Sequence, residues 1–408
     1  MQIFLRKSKI NAFSALKITG SKSESNRVLL LQALYKGLNI NNLSNSDDTQ
    51  LMQKAMTSKD PIIDIYHAGT AMRFLTAYFA TQVGRTTTLT GSKRMQERPI
   101  KILVDALNTL GASISYTKTE GYPPILIKGR EFSNHLVHLK ANISSQYISA
   151  LLLIAPSLKN GLTLHLEGEI TSIPYIKMTL SLLNELGVQT TFKDNVIKVF
   201  PFNAGVSKTF TVESDWSSAS YFYSIVALSS IGTQIDISAY KSNSLQGDAV
   251  LKEIYQKLGV ESSFDGTTLS LKKIDKPLLK KLKLDLTDAP DIAQTITVSC
   301  LGLQLDCDLT GLHTLKIKET DRLVALKNEI KKLGTTIEIT KNSLHLNSPN
   351  ALQSGVQIAT YNDHRMAMAF APLALKIPLN IDDAEVVSKS YPDFWSDLSA
   401  LGFEMNLL

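Results

Sequence analysis

Several short charged segments stand directly before apolar runs that have the pattern of helices. Cationic, hydroxyl or amide side chains occur in this position at residues 20–27, 93–98, 144–146, 318–322 and 360–368. Free N–H groups and the dipole at a helix start attract an anion, and nearby Lys and Arg strengthen that attraction. Arginine is scarce, since only nine of the 43 basic residues are Arg. Because the Arg fork suits carboxylate and phosphate, the sequence predicts a small polyanionic ligand held by several segments.

Two of these segments place cations four residues apart, Arg94 with Arg98 and Lys318 with Arg322. On a helix, like charges at this spacing repel each other, so an anion between them would explain their presence. The alternative is a solvated helix face that neighbouring acidic residues neutralise. Residues 360–368 favour function more strongly, because polar groups that open an apolar helix are costly to bury without a ligand or partners.

Asp291 follows Pro290 at the start of another apolar run. An Asp in that position is ordinarily a helix N-cap. Among so many cations it is also a candidate general base, because a carboxylate can accept a hydroxyl proton where the geometry allows. Both interpretations stay open at the level of sequence.

Length and composition exclude several classes of protein. A chain of 408 residues with 44% hydrophobic content fits two domains of about 200 residues each. Its apolar runs fall far short of the roughly 18 to 20 residues of a membrane span, and the N-terminus lacks a signal-peptide pattern, so a cytoplasmic location is expected. A net charge of +6 without a concentrated basic stripe argues against nucleic-acid binding. Cys300 and Cys307 are expected to be buried free thiols.

Helix starts recur at regular intervals and would position the charged segments. They are predicted at Thr70, Ser144, Ser217, Asp291 and Asp363, which lie 72 to 74 residues apart. A second kind of helix ends each time in Leu-Gly, and Gly is the usual left-handed residue just past a helix. These helix ends are predicted at Gly111, Gly187, Gly259, Gly334 and Gly402.

Short strands are predicted between the two kinds of helix. Alternating or β-branched residues mark them at 86–90, 162–166, 233–237, 306–310 and 378–381. A shortened first copy has helices at 26–37 and 48–57. The chain thus contains six α/β units, which divide into two domains of three before Ser214. Strands within each unit argue against the alternative of a helical solenoid.

Seven motifs together resemble the enolpyruvyl transferase family over essentially the whole chain. They are Gly20-Ser21-Lys22-Ser23 with Asn26-Arg27, Ala68-Gly69-Thr70-Ala71-Met72-Arg73, Arg94-Met95 with Glu97-Arg98-Pro99, Ser144-Ser145-Gln146, Lys318-Glu319-Thr320-Asp321-Arg322, Asn362-Asp363-His364-Arg365-Met366-Ala367-Met368, and Lys389 before Pro392-Asp393. The resemblance implies an α/β fold of two similar domains, each of three βαβαββ units in an inside-out α/β barrel, with the active site in the interdomain cleft. The N-terminal strand would complete the C-terminal domain, giving domains of 1–14 with 214–408 and of 15–213.

The resemblance also implies an activity. The enolpyruvyl group of phosphoenolpyruvate would be transferred to the 5-hydroxyl group of shikimate 3-phosphate, with release of phosphate, through a tetrahedral intermediate. This reaction is a step of the shikimate pathway. The implied enzyme is a monomer that needs no metal or organic cofactor and has no nucleic-acid or membrane partner. Cations would then supply the electrostatic stabilisation that a metal gives elsewhere.

Residue roles follow from matching motif positions. Shikimate 3-phosphate binding is implied for Lys22, Ser23, Arg27, Ser144, Ser145, Gln146, Ser172, Tyr175, Asp291 and Lys318. Phosphoenolpyruvate binding is implied for Lys22, Gly69, Arg94, Gln146, Arg322, Arg365 and Lys389. The implied catalytic groups are Asp291, as base toward the 5-hydroxyl group, with Glu319, Lys22 and His364. The division of proton transfers among them stays open, because groups in one charged site titrate together.

Three positions depart from the family pattern. His67 stands where Asn is common, Phe74 where Pro is common, and Thr314 where Asn is frequent. The first two are expected beside the phosphoenolpyruvate site, and the shorter Thr314 would lose a hydrogen bond to shikimate 3-phosphate.

Two alternative functions fit the sequence less well. A sister enzyme transfers enolpyruvyl to UDP-N-acetylglucosamine and usually carries a reactive Cys near the position of Arg94, whereas residues 91–95 contain no Cys. A two-domain binding protein without catalysis would tolerate the loss of Asp291, Glu319 or His364, all of which are present.

Overall fold

The computed structural model of the protein describes residues 1–140, 144–168, 170 and 173–408. The chain forms two compact units, one of Met1–Thr19 with Glu213–Leu408 and one of Gly20–Val212. The first boundary lies after residue 19 rather than after 14, because the strand Phe13–Leu16 pairs in parallel with Gln234–Ile237 of the first unit.

Thirteen α-helices occur in the described residues. In chain order α1 to α13 are Lys22–Leu34, Asp47–Thr57, Gly69–Ala80, Lys93–Gln96, Lys101–Leu110, Ser145–Ile154, Ile173–Leu186, Trp216–Leu228, Leu251–Gln256, Ala293–Gly302, Arg322–Lys332, His364–Phe370 and Phe394–Leu401.

The described residues also contain 22 strands. In chain order β1 to β22 are Ile3–Leu5, Phe13–Leu16, Leu38–Asn41, Ile62–Asp64, Thr86–Thr90, Ser113–Tyr116, Ile125–Lys128, Leu136–Lys140, Leu162–Glu167, Thr190–Lys193, Val196–Val199, Lys208–Thr211, Gln234–Ile237, Val260–Asp265, Thr268–Lys273, Lys281–Asp285, Asp306–Thr310, Thr336–Ile339, Leu344–Asn347, Val356–Ile358, Leu379–Ile381 and Met405–Leu407.

These elements repeat the predicted βαβαββ unit. In the 20–212 unit the sheets have strand orders β4-β5-β7-β6 and β10-β11-β9-β8, and β12 pairs with β3. In the other unit the orders are β14-β15-β13-β2, β16-β17-β19-β18 and β20-β21-β1-β22. In each four-stranded sheet of the 20–212 unit, a helix connects the two parallel strands and a hairpin closes the unit, as in β4-α3-β5-α5-β6-β7. The predicted α/β class with six repeated units is confirmed, and the solenoid alternative is wrong.

The N-terminal strand completes the last sheet of its unit. Ile3 pairs with Ile381 of β21 on one side and with Leu407 of β22 on the other, both antiparallel. The three residues of β1 are therefore hydrogen-bonded to strands near the other end of the chain.

Helices that are buried on all sides form the interior of each unit. Every residue of α3 in one unit, and of α8, α10 and α12 in the other, is buried. The strands instead alternate, as in β8, where Val137 and Leu139 are buried between exposed neighbours. An all-round apolar helix belongs inside, and a sheet with one polar face belongs outside. This is the inside-out arrangement that was predicted.

The predicted boundaries of helices and strands agree closely with the structure where the local sequence signal is strong. β5 and β17 begin and end at the predicted residues. Gly111 and Gly402 follow α5 and α13 with φ angles of 111° and 103°, the left-handed conformation expected after Leu-Gly. Two starts differ by more than one residue. The first helix begins at Lys22 rather than at residue 26, and a 3-10 turn, Pro290–Ile292, carries Asp291, so that α10 begins only at Ala293.

Two predictions from composition can be compared with the structure. Cys300 and Cys307 are buried free thiols, as expected. Within the described ranges, no helix has the length and apolar character needed to cross a bilayer.

Candidate active site

In the unit of 1–19 and 213–408, three helix starts bring cations around Asp291. Its Oδ1 lies 2.8 Å from Nη1 of Arg322 and 3.2 Å from Nζ of Lys318, while its Oδ2 lies 3.3 Å from Nη2 of Arg365. Arg365 also donates through Nη1 to the Asp291 carbonyl at 3.1 Å. The anion between Lys318 and Arg322 is thus the protein's own carboxylate.

Arg322 is the most heavily paired of these cations. Its Nε donates to Asp363 Oδ2 at 2.7 Å and its Nη2 to Glu319 Oε2 at 2.9 Å, in addition to the bond to Asp291. Its side chain is 2% exposed. Burial would lower the pKa of the guanidinium, but the three carboxylates raise it above its ordinary value, so Arg322 stays charged.

Lys389 extends this cluster at its other end. It closes the 3-10 turn Ala384–Lys389, and its Nζ lies 2.8 Å from Glu319 Oε1. Glu319 therefore bridges Lys389 and Arg322 with its two oxygens. Four cations and three carboxylates alternate in one partly buried cluster, which we call the Asp291 cluster (Asp291, Lys318, Glu319, Arg322, Asp363, Arg365 and Lys389).

The pKa of Asp291 is set by these opposing effects. Burial alone would raise it, but Lys318, Arg365 and Arg322 hold it well below its usual range. The carboxylate is therefore ionised near neutral pH and ready to accept a proton. Its basicity is weak while all three cations face it, and an anion that attracted those cations would raise it.

Asp363 and His364 begin α12 beside this cluster. Asp363 is the N-cap residue, and its Oδ1 accepts a hydrogen bond of 2.9 Å from the backbone N–H of Arg365. The two residues before it, Tyr361 and Asn362, both have a φ of 55°, a strained conformation for side chains other than Gly. Nδ1 of His364 lies 3.7 Å from Asp363 Oδ1, and the ring is buried. Asp363 thus fixes the helix start and Arg322 at once.

In the 20–212 unit, a second polar group surrounds Arg27 on α1. Its Nε, Nη1 and Nη2 donate to Thr179 Oγ1 at 2.8 Å, the Ser23 carbonyl at 2.7 Å and Ser149 Oγ at 2.9 Å. The guanidinium lies over the rings of Phe74 and Tyr175, with its carbon 5.4 and 5.9 Å from their centroids.

The electrostatics of Arg27 differ from those of Arg322. Burial lowers the pKa of Arg27 to about 10, although Tyr175 and Glu24 raise it. Its hydrogen bonds to described residues go to neutral oxygens. A buried cation of this kind would be stabilised by an anion.

Other predicted residues of this unit lie at the starts of α1 and α6. Nζ of Lys22 is 3.4 Å from Asp48 Oδ2. Ser144 caps α6 by accepting a hydrogen bond from the backbone N–H of Gln146, whose Nε2 donates to Thr70 Oγ1 at 3.1 Å. Ser145 is buried in the first turn of α6. Ser172 lies outside the described residues.

The start of α3 lies against two arginines. A side-chain carbon at Gly69 would lie 2.5 Å from Nη1 of Arg98, so any larger residue there would require the end of the Arg98 side chain to move. Arg73 donates to the Gly69 carbonyl at 3.1 Å, and burial, with Arg98, lowers the pKa of Arg73 to about 10. Arg94 is instead about half exposed and lies 3.3 Å from Glu97.

The structure therefore brings predicted residues together in two places: the Asp291 cluster in one unit, and Ser23, Arg27 and Tyr175 in the other. Sequence reasoning missed the partners of the arginines, namely Ser149 and Thr179 for Arg27 and Asp363 for Arg322. Asp363 could have been found, because it stands at a predicted helix start. Thr314 has a buried hydroxyl without a hydrogen-bond partner among the described residues. Phe74, at a position where the family pattern differs, packs against Arg27.

Comparison of the chain with known proteins identifies its family. A family model described as EPSP synthase (3-phosphoshikimate 1-carboxyvinyltransferase) matches residues 53–398. A 3-phosphoshikimate 1-carboxyvinyltransferase of Bacteroides fragilis is 48% identical over 395 residues, which cover 96% of this chain and 95% of that protein. One of Vibrio vulnificus is 35% identical over 418 residues, covering 95% and 96%.

Solved structures share the fold. The EPSP synthase of Acinetobacter baumannii aligns over 100% of both chains with a TM-score of 0.81 at 20% identity. The enolpyruvyl transferase NikO of Streptomyces tendae aligns over 99% of this chain and 98% of that one with a TM-score of 0.75 at 13% identity. Identities this low show the fold alone, whereas the family model and the two relatives show the family. This chain therefore belongs to the EPSP synthase family, the 3-phosphoshikimate 1-carboxyvinyltransferases.

Proposed function

We propose that this chain transfers the enolpyruvyl group of phosphoenolpyruvate to the 5-hydroxyl group of shikimate 3-phosphate and releases inorganic phosphate. Family membership and the activity for which both relatives are named support this reaction. The observation that carries the proposal is the Asp291 carboxylate between Lys318, Arg322 and Arg365. A proton acceptor among cations suits a hydroxyl group that attacks a doubly anionic phosphate ester. The product would feed the shikimate pathway toward chorismate.

The proposed chemistry is addition followed by elimination. The 5-hydroxyl oxygen bonds to C2 of phosphoenolpyruvate while its proton passes to Asp291, and the methylene carbon C3 gains a proton. The tetrahedral adduct then loses phosphate from C2 and a proton from C3, which restores the double bond. Glu319, with Lys22, is the proposed group for the proton on C3, and Glu319 lies in the Asp291 cluster, 2.9 Å from Arg322 and 2.8 Å from Lys389.

Substrate binding in this proposal uses both groups of residues. Arg322, Arg365 and Lys389 would bind phosphoenolpyruvate together with Lys22, Gly69, Arg94 and Gln146. Ser23, Arg27, Ser144, Ser145, Ser172, Tyr175 and Lys318 would bind shikimate 3-phosphate, with Lys22, Gln146 and Asp291 also contacting it. The charge of Arg27, bonded to neutral oxygens, supports a phosphate nearby. Because the cations of the Asp291 cluster already face carboxylates, phosphoenolpyruvate would have to share them, which would raise the pKa of Asp291.

Phosphate release tests this function. The protein is incubated with phosphoenolpyruvate and either shikimate 3-phosphate or UDP-N-acetylglucosamine, and inorganic phosphate is measured. Release is expected only with shikimate 3-phosphate. Release only with the sugar nucleotide would assign the chain to the sister reaction, and binding without release would favour the non-catalytic alternative. The cytoplasmic location and monomeric state stay predictions.

Replacing Arg365 with Lys should weaken the binding of phosphoenolpyruvate more than the binding of shikimate 3-phosphate. Lys keeps the charge but loses the fork that contacts both the carbonyl and the carboxylate of Asp291. We expect the KM for phosphoenolpyruvate to rise by about tenfold, the usual effect of losing a hydrogen bond to a charged group. Steady-state kinetics with each substrate varied in turn give the measurement. An equal rise in both KM values would contradict this role for Arg365.

A further inference from the structure

A buried serine and a buried carboxylate lie behind Arg365. Ser217, in the first turn of α8, accepts a hydrogen bond of 3.2 Å from Nη2 of Arg365. Its own hydroxyl donates to Oδ2 of Asp248, which lies on the 3-10 turn Gly247–Val250. Neither Ser217 nor Asp248 belongs to the motifs that carry the family resemblance. The three residues are linked by hydrogen bonds from Asp248 through Ser217 to Arg365.

Asp248 is placed where a carboxylate is costly. It is 2% exposed, and its Oδ1 has no hydrogen-bond partner among the described residues. Burial raises the pKa of its carboxyl to about 6, opposed by Arg365 and reinforced by Asp291. A buried acid with one unsatisfied oxygen costs stability, so its presence calls for an explanation. The positive charge of Arg365 stabilises the Asp248 carboxylate, and the Ser217 hydroxyl group lies between the two.

The direction of the hydrogen bonds among Asp248, Ser217 and Arg365 indicates what Asp248 does. A hydroxyl group has one hydrogen, and the guanidinium of Arg365 can only donate. Because Asp248 accepts the hydrogen of Ser217, the lone pairs of Ser217 are left to face Nη2 of Arg365. Asp248 therefore fixes the orientation in which Ser217 holds the fork.

The contact of Arg365 with the Asp291 carboxylate can be lost when a substrate anion binds. Nη1 bonds the Asp291 carbonyl and Nη2 lies 3.3 Å from Asp291 Oδ2. A substrate anion would compete with that carboxylate, whereas Ser217 is an uncharged partner that an anion does not repel. The Ser217 bond can persist while the fork turns to a ligand.

We infer that Ser217 and Asp248 are positioning residues for Arg365 and set the affinity of the enzyme for phosphoenolpyruvate through it. This inference rests on the proposed function, in which Arg365 binds that substrate. Substitutions at residues 217 and 248 should therefore change the affinity for phosphoenolpyruvate and not the affinity for shikimate 3-phosphate.

The test compares the KM values for both substrates in Ser217→Ala, Asp248→Asn and Ser217→Thr. We expect Ser217→Ala to raise the KM for phosphoenolpyruvate by about tenfold, as for the loss of one hydrogen bond to a charged group. The KM for shikimate 3-phosphate should change by less than about twofold, within the usual effect of a remote substitution. Asp248→Asn should likewise raise the KM for phosphoenolpyruvate and leave the KM for shikimate 3-phosphate within about twofold of wild type. Ser217→Thr, which keeps the hydroxyl, should keep the affinity of the wild type for phosphoenolpyruvate.

Ser224→Ala is the matched control. Ser224 is a buried serine two turns further along α8, and it accepts a hydrogen bond of 2.8 Å from Ser299 rather than from an arginine. It should leave both KM values unchanged, and thermal unfolding of all variants shows whether each is folded. If folded Ser217→Ala and Asp248→Asn both leave the KM for phosphoenolpyruvate unchanged, or raise both KM values equally, the inference is wrong.

Failure of the proposed function would be seen separately. In that case wild-type protein would release no phosphate from the two substrates. Calorimetric titration with phosphoenolpyruvate would then compare wild type, Ser217→Ala and Ser224→Ala. Weaker binding only in Ser217→Ala supports positioning of Arg365, and equal binding in all three overturns it.

Discussion

Asp291→Asn is expected to lower kcat by about 10²- to 10⁴-fold, the usual contribution of a positioned general base. Asn has nearly the same shape but cannot take the proton of the attacking hydroxyl group. The substitution also removes the negative charge that faces Lys318, Arg322 and Arg365, so phosphoenolpyruvate should bind at least as tightly as in the wild type. Single-turnover phosphate release and substrate titrations separate the two effects.

The control for this experiment is Asp321→Asn. Asp321 caps α11 next to the cluster by accepting a hydrogen bond from the backbone N–H of Val324. Asn is as good an N-cap as Asp, so kcat should stay within about twofold of wild type. An unchanged kcat in Asp291→Asn would remove Asp291 as the base and leave it the role of holding the three cations.

Arg322→Met is expected to lower the free energy of unfolding by about 3 to 5 kcal/mol, as for a buried ion pair that loses one partner. The substitution leaves the carboxylates of Asp291, Glu319 and Asp363 close together without the cation that binds all three. Denaturant unfolding at pH 7 measures the loss. Arg94→Met is the control, because the exposed pair of Arg94 with Glu97 should contribute less than about 1 kcal/mol.

The pH dependence of this loss has a definite sign. The folded-state pKa of Asp291 is lowered in the wild type, so the stability it contributes is present above its unfolded value and is lost as the pH falls through the folded pKa. Without Arg322 the carboxylates would be stabilised by protonation instead. The difference between wild type and Arg322→Met should therefore shrink as the pH falls toward about 4, the ordinary carboxyl pKa. A difference that grew on acidification would contradict the carboxylate origin of the effect.

The helices and strands were largely predictable because their signals are local. β5 and β17 were found from alternating residues, and the ends of α5 and α13 from Leu-Gly. The start at Asp291 was less well predicted, since Pro290 opens a 3-10 turn before the helix proper.

The candidate site was predictable in its residue types but not in its pairing. Arg94 and Arg322 occupy similar motifs with cations four residues apart, yet Arg94 is about half exposed and Arg322 is buried among carboxylates. Ser217 was found only as a helix start, and its link to Asp248 and Arg365 had no signal in the sequence. Spacing along the chain says which groups are available, and it does not say which will meet.

By itself the sequence determined the repeated α/β unit, the helix starts that carry charge and the family. Hydrophobic period, glycine caps and motif residues act over a few positions, so they can be found without coordinates. Only the tertiary structure decided that Asp291 meets Arg322, 31 positions away, and Arg365, 74 positions away. α10 packs against α12, and the start of α11 places Arg322 beside Asp291, so those charges lie within hydrogen-bond distance. Coulomb energy depends on that distance and on burial rather than on separation along the chain.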